Sequence, residues 1–235
     1  MIEDFKSQVV GETIDHWQKR SRPTAKKLEG RDIQILCCNA EKHSSSLFEV
    51  FHSDDDLAQW TYLGHGPFKN TEDYRLWLKS VSQNPLFEFY TIFSRGESQV
   101  LGVVCFTRIR PEHGSIEIAH VHFSKKLSNS RAATEVIYLM LSYVFDDLGY
   151  RRCEWKCDFL NEKSKRAAKR FGFTFEGTFR QDRVYKGRNR DTAWFSMTNK
   201  EWPDIKASFE KWLMPSNFDS SGKQLSSLSR MTASA

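Results

Sequence analysis

No stretch of the 235 residues approaches the roughly 20 consecutive apolar residues that a transmembrane helix requires. The opening, MIEDFKSQVVGETIDHW, is acidic and mixed, and lacks the charge pattern of a secretory or mitochondrial leader. A soluble, cytoplasmic protein is therefore expected. The five cysteines, Cys37, Cys38, Cys105, Cys153 and Cys157, show no C-x-x-C pairing of the kind that holds zinc, and their odd number argues against a disulfide framework. All five lie in strand-like, apolar surroundings, which points to reduced, buried, structural thiols and to no metal. Gly-x-Ser-x-Gly is missing, as is any Cys–His signature, so no nucleophilic hydrolase is announced. A formal charge of +5 is small for this length. It favours anionic ligands weakly and makes nucleic acid an unlikely partner.

An apolar fraction of 39%, with 18 Phe and 7 Trp, supplies a core and excludes wholesale disorder. Residues 1–30 are polar, charged and Pro-containing, and read as an N-terminal arm. RDIQILCC (31–38) reads as a strand and HSSSLFEVF as a short helix with His43 or Ser44 at its cap. WTYLGHGPF (60–68) is an aromatic loop, and TEDYRLWLKSVSQ a helix opened by Thr71, with Tyr74, Trp77, Leu78 and Val81 at helical spacing. A meander follows at 86–94, 99–109 and 114–124, broken by the turn-like SRGES and RPEHG. A helix then runs to about residue 148, with Ala133, Val136, Ile137, Met140, Tyr143 and Val144 on its apolar stripe. RRCEWKCDF alternates Cys153, Trp155 and Cys157 against Glu154, Lys156 and Asp158, the pattern of a half-buried strand. NEKSKRAAKRFGF is a short basic helix ending at Gly172, and two last strands are joined by KGRN. Residues 214–235 are rich in Ser and read as a flexible tail. With no internal repeats and no boundary between 31 and 213, one domain carries two appendages.

Between the meander and the long helix lies LSNSRAATEV (127–136), which has three cap-forming residues, Ser128, Asn129 and Ser130, and no glycine. A helix N-terminus following a strand gathers unpaired backbone N–H groups and is suited to an anion. Together with IEIAHVHFSKK before it, LGYRRCEWKCDFLNEKSKRAAKRFGFTFEGTFRQ after it and RDTAWFSM near the end, this stretch resembles the GNAT superfamily of N-acetyltransferases. The branch it most resembles contains the ribosomal-protein serine and alanine acetyltransferases. The resemblance extends over about residues 22–200. It implies an α/β (α+β) fold, the GNAT acyl-CoA N-acyltransferase fold, with a central, mostly antiparallel mixed sheet splayed at a cofactor cleft and flanked by helices. It also implies acetyl-CoA as co-substrate. Val121, His122 and Phe123 would pair with the pantetheine arm, and Ser128, Asn129, Ser130, Arg131, Ala132, Ala133 and Thr134 would cradle the pyrophosphate. Asn161 and Ser164 would contact the cofactor arm from the next helix. Of the family's Arg/Gln-x-x-Gly-x-Gly/Ala loop, aligned at Ser128, Arg131 and Ala133, only the last position matches. Arg131 stands where glycine normally admits a phosphate: its guanidinium either grips an oxygen or fills the cradle.

Acetyl transfer to an amine needs the amine neutral, the thioester oxyanion stabilised and a proton returned to the thiolate. Glu117, on the strand before the cradle, is the candidate base, against the plainer reading of an exposed or ion-paired strand carboxylate. His120 and His122 share a strand face with Ile116 and Ile118 by simple alternation. His120 is the second catalytic candidate, against a structural role. The tyrosine that many GNAT enzymes carry seven residues after the motif asparagine is replaced here by Ala168. Trp60, Tyr62, Phe68 and Trp77 are candidates for the acceptor pocket, against plain core packing. The run Lys163, Lys165, Arg166, Lys169 and Arg170 reads as a solvated helix face. The expected function is N-acetyltransfer from acetyl-CoA to a primary amine, on a small molecule or a protein N-terminus, by a monomer or homodimer away from membranes. The alternatives are an inactive GNAT-like module binding a nucleotide or protein partner, and an RNA-associated basic domain.

Overall fold

The computed structural model describes residues 2–3, 8–52, 57–96 and 99–233. Eight strands form one sheet: β1 (Lys27–Glu29), β2 (Ile33–Cys37), β3 (Phe87–Ser94), β4 (Val100–Arg110), β5 (Ser115–Phe123), β6 (Arg152–Asp158), β7 (Thr174–Tyr185) and β8 (Arg188–Thr198). Their order is β1-β2-β3-β4-β5-β6-β8-β7, antiparallel throughout except for the β5–β6 pair. That parallel pair needs a crossover, which is α3 (Arg131–Ser142), extended by a wider turn over Tyr143–Asp147. The remaining helices are α1 (Ala40–His52), α2 (Thr71–Ser82), α4 (Glu162–Arg170), α5 (Trp202–Leu213) and α6 (Leu228–Thr232). None of the described helices is long and apolar enough to cross a membrane.

The two sheet faces are built differently. On one, Ile33, Ile35, Tyr90, Ile92, Val104, Phe106, Ile116 and Ile118 meet Val136, Ile137, Met140 and Leu141 of α3 and Phe209 of α5. Each such side chain, fully buried, contributes about 1.5–3 kcal/mol. On the other, Val100 and Val103 pack under Leu47 and Phe51 of α1, Trp60, and Tyr74 and Leu78 of α2.

Several sequence expectations shift. The α1 helix starts at Ala40, because Asn39 rather than His43 or Ser44 caps it, its side chain accepting the Lys42 N–H at 3.0 Å. The cap of α2 is Asn70, one residue before the expected Thr71. Strand β6 is not half-buried: Glu154 and Asp158 are as covered as Cys153 and Trp155. Only Cys105, Cys153 and Cys157 are buried thiols; Cys37 is exposed. Residues 214–233, expected as a tail, pack onto the domain, with Leu228 fully buried and Asn217 bonding the carbonyls of Trp212 and Ser226.

Candidate active site

The β5–β6 ladder consists of three rungs, Ser115–Arg152, Ile116–Cys153 and Glu117–Glu154, and then stops although both strands continue. Ile118–Phe123 therefore run beside an edge that β6 does not fill, and a chain of matching length can pair there. Within this edge β5 bulges. His120 has φ +47°, and the register with β4 slips between Val103 and Cys105. A Cβ at Gly102 would lie 2.5 Å from the His122 carbonyl oxygen, so the two strands approach here only because β4 carries no side chain.

The bulge corrects the alternation read from sequence. Ile116 and Ile118 enter the α3 core, but the extra residue reverses the phase, and His120 and His122 point to the opposite face. His122 stacks on Phe51 at 3.7 Å and contacts Gln59 Oε1 through Nε2 at 3.0 Å. Its imidazole is thus engaged on the α1 side, and only its backbone faces the unpaired edge. His120 lies among Phe87, Phe89, Trp77 and His65, with ring centroids 5.7, 5.0, 6.5 and 5.3 Å away. His65 stacks on Trp77 at 3.9 Å and neighbours Trp60 and Phe68. Three of the four acceptor-pocket candidates, Trp60, Phe68 and Trp77, therefore form one aromatic–imidazole box. The fourth, Tyr62, stands outside it, its hydroxyl donating to the Leu160 carbonyl at 3.1 Å. His65, which sequence reading passed over, is central to the box; its place in an aromatic loop between two glycines was the available signal. Burial holds these imidazoles neutral, with pKa values lowered to about 2 for His65, about 4 for His120 and about 3 for His122.

Glu117 sits on the last rung and on the face of this box. It is buried, not exposed, and its Oε2 lies 2.8 Å from Lys156 Nζ and 3.8 Å from Arg108 Nε. Burial raises its pKa, and the Lys156 charge works against that rise. Across the rung, Glu154 is held by Arg110 Nη2 at 2.6 Å, Arg152 Nε at 3.0 Å and Arg108 Nε at 3.3 Å. The side chain of Lys156 is 5% exposed and lies over the Trp194 ring, 4.4 Å from its centroid, with Arg108 5.0 Å from the same centroid. Lys156 was read from sequence only as an outward strand residue.

The start of α3 has the expected cap. Ser130 Oγ accepts the Ala133 N–H at 3.0 Å and donates to the Leu127 carbonyl at 2.6 Å. Asn129 takes the left-handed conformation, φ +61°, that a glycine would otherwise supply. Ser128 is exposed, and Ala132 and Ala133 open the helix. Arg131 neither points a free cation at the cradle nor stands unpaired. Its Nε and Nη2 each bond an Asp32 carboxylate oxygen at 2.8 Å, and Phe218 lies 5.5 Å from its guanidinium carbon. Asp32 is held in turn by Glu135, whose buried carboxylate accepts the N–H groups of Arg31, Asp32 and Ile33 at 2.7–3.2 Å. A side chain on Gly30 would overlap that carboxylate. Thr134 is buried, its hydroxyl taking a bond from Arg170 Nη2 at 3.0 Å, so it serves packing. What remains for an anion is the first-turn backbone N–H groups that Ser130 does not cap, at the positive end of the helix dipole.

Asn161 caps α4, its side-chain oxygen accepting the Ser164 N–H at 3.1 Å, and leaves its amide donors for another acceptor. Ser164 Oγ accepts the Trp155 indole N–H at 3.0 Å. An unpaired strand edge, two capped helix starts beside it and a buried carboxylate on its last rung fit an extended, phosphate-ended thioester. Among the described residues no cluster with metal-ligating composition occurs.

Residues 39–174 match the model of the acetyltransferase (GNAT) domain. The fold is similar to that of a GCN5-related N-acetyltransferase from Brucella melitensis, at 40% identity and TM-score 0.91, covering 94% of this chain and 100% of that one. An uncharacterized N-acetyltransferase of Bacillus licheniformis, p20, is 24% identical over 77% of this chain and 95% of its own length. A ribosomal L7/L12 alpha-N-protein acetyltransferase, solved in complex with coenzyme A, shares the fold at 17% identity and TM-score 0.62, over 73% of this chain and 97% of that one. With the splayed parallel pair and the helix that opens beside it, these matches place the chain in the GNAT family of acetyl-CoA-dependent N-acetyltransferases.

Proposed function

We propose that the protein transfers the acetyl group of acetyl-CoA to a primary amine by direct attack, with Glu117 as the base. The observation that carries this reading is the position of Glu117: a buried carboxylate on the last rung of the parallel pair, on the same sheet face as the aromatic–imidazole box. In this reading Val121, His122 and Phe123 offer backbone groups to the pantetheine arm. Backbone N–H groups near Val121 polarise the thioester carbonyl. The N–H groups opening α3 take the pyrophosphate, and Asn161 contacts the arm. Glu117 accepts the amine's proton, directly or through one water, and burial makes it a stronger base than a solvated carboxylate. Trp60, Phe68, Trp77 and His65 exclude water around the acceptor, with His120 a neutral imidazole at the inner wall.

Because Arg131 is occupied by Asp32, phosphate binding falls to backbone donors. Calorimetric titration of the protein with acetyl-CoA, followed by an amine panel, tests the reading. Saturable binding and turnover are expected, with Glu117→Gln lowering kcat by about 100- to 1000-fold while leaving the acetyl-CoA Kd within about twofold. Absence of binding at millimolar acetyl-CoA would return the chain to a GNAT-like binding module.

A further inference from the structure

Resting on that reading of Glu117, we propose that Lys156 is the second half of the acid–base device: it protonates the departing CoA thiolate and is recharged by Glu117. The case begins with position. Lys156 lies two residues beyond Glu154, the last residue of β6 to pair with β5, so it stands at the point where the strands part. Its side chain is 5% exposed, its ammonium is 2.8 Å from the Glu117 carboxylate, and Trp194 covers its other side. A lysine is not buried this way for solubility. Burying two opposite charges also stabilises a fold little, since desolvation offsets their attraction.

The groups facing Lys156 decide which of them can move a proton. Glu117 approaches from β5, Arg108 from β4, Glu154 from its own strand, Arg183 from β7, and Trp194 from β8. The two guanidinium groups hold their protons at any working pH, and indole is no acid. Cys105, the thiol near Glu117, is fully buried and pushed far above its usual range. Lys156 is the one cation in this set that can release a proton and take it back. Burial lowers its pKa, and the Glu117 carboxylate works against that drop.

The cycle balances. The neutral amine attacks the thioester carbon, and Glu117 takes a proton from the resulting ammonium. As the C–S bond breaks and the electron pair leaves on sulfur, Lys156 gives sulfur a proton and becomes a neutral amine. Glu117 then returns its proton to Lys156 across the 2.8 Å contact, and the ion pair is restored. The amine's proton ends on the thiol of coenzyme A, with no net change in the protein.

Lys156→Arg separates this role from a purely structural one. Arginine keeps the charge beside Glu117 but does not give up its proton. We expect Lys156→Arg to fold with an unchanged melting temperature, to bind acetyl-CoA within about twofold of wild type, and to lose kcat by about 100-fold. The alkaline limb of its kcat–pH profile should also disappear. Lys156→Met, similar in length, removes the charge beside Glu117 as well as the proton, so its kcat should fall at least as far and its alkaline limb should also be absent. A Lys156→Arg enzyme within about threefold of wild-type kcat, with its alkaline limb intact, overturns the proposal. So does transfer of the alkaline-limb defect to Tyr185→Phe, whose hydroxyl donates to Asp158 at 2.8 Å. If the wild type acetylates no amine, or does not depend on Glu117, the underlying reading fails and this inference with it. Dependence on Glu117 with indifference to Lys156→Arg removes this inference alone.

Discussion

The two faces of the sheet solve opposite problems with the same strands. The α3 face is mainly apolar: Ile116, Ile118, Val136, Ile137, Met140 and Phe195 are fully or almost fully buried, and its buried carboxylate, Glu135, is taken up by three backbone N–H groups. The α1–α2 face buries Glu117, Glu154, His122 and the Lys156 side chain, half-buries His65 and His120, and leaves side-chain atoms such as Trp60 Nε1 and Trp194 Nε1 without a protein partner. Buried polar groups need partners, so the second face holds its charge only through specific pairs. It is the face that carries the proposed base, and the one more easily undone.

Acid should divide the two faces most strongly. His65, His120 and His122 have folded pKa values of about 2, about 4 and about 3, below the unfolded value near 6.5. A group depressed on folding contributes its full stability above the unfolded pKa and loses it as pH falls toward the folded one. Between pH 6.5 and 4 the unfolded chain takes up to three protons that the native box refuses. Stability should therefore fall by up to about 4 kcal/mol per pH unit. Tryptophan fluorescence from Trp60 and Trp77 should change before the far-ultraviolet signal does. His122→Phe should flatten the slope by about one proton; an unchanged slope would deny the box its role.

Truncation tests the other face. Phe195→Ala, deep in the apolar core, should cost about 3–5 kcal/mol in denaturant unfolding. Phe175→Ala, whose ring is 46% exposed, should cost under about 1 kcal/mol. Equal losses would mean that burial does not decide between these positions. A similarly small effect is expected at the start of α3, where Ser130→Ala removes one cap and should cost about 1 kcal/mol. It should leave kcat at saturating acetyl-CoA unchanged, because the cap bond to the Ala133 N–H acts on the helix and not on the reacting atoms.

Most of the α3 face was legible in the sequence. Apolar runs bounded by turn-like breaks at 86–94 and 99–109 gave β3 and β4, and the stripe Ala133–Val136–Ile137–Met140 gave the buried side of α3, whose spacing follows directly from side-chain burial. The chemical face was harder to read. Glu117 was identified by type and neighbourhood, but its burial depends on Lys156 and Arg108, which come from strands 39 residues later and 9 residues earlier in the chain. The orientation of His120 and His122 was misread because a bulge has no periodic signature; only the close approach at Gly102 marks it. Arg131 was legible as an anomaly. Its partner Asp32 was not, since that pairing spans 99 residues and relies on Glu135 shaping the turn.

An eight-stranded open sheet has two flanks, and each offers unpaired backbone groups to a neighbouring molecule. On one flank β1 is only three residues long, too short to template much. On the other, β7 runs for 12 residues, but its ladder to β8 is interrupted at the left-handed Gln181 and it displays Arg180 and Arg183 on either side. Kinks and like charges on a long edge oppose edge-to-edge stacking. Replacing Arg180 and Arg183 with valine, which strips these charges from an edge that already exposes Phe179 and Val184, should therefore lower the concentration at which the protein begins to precipitate.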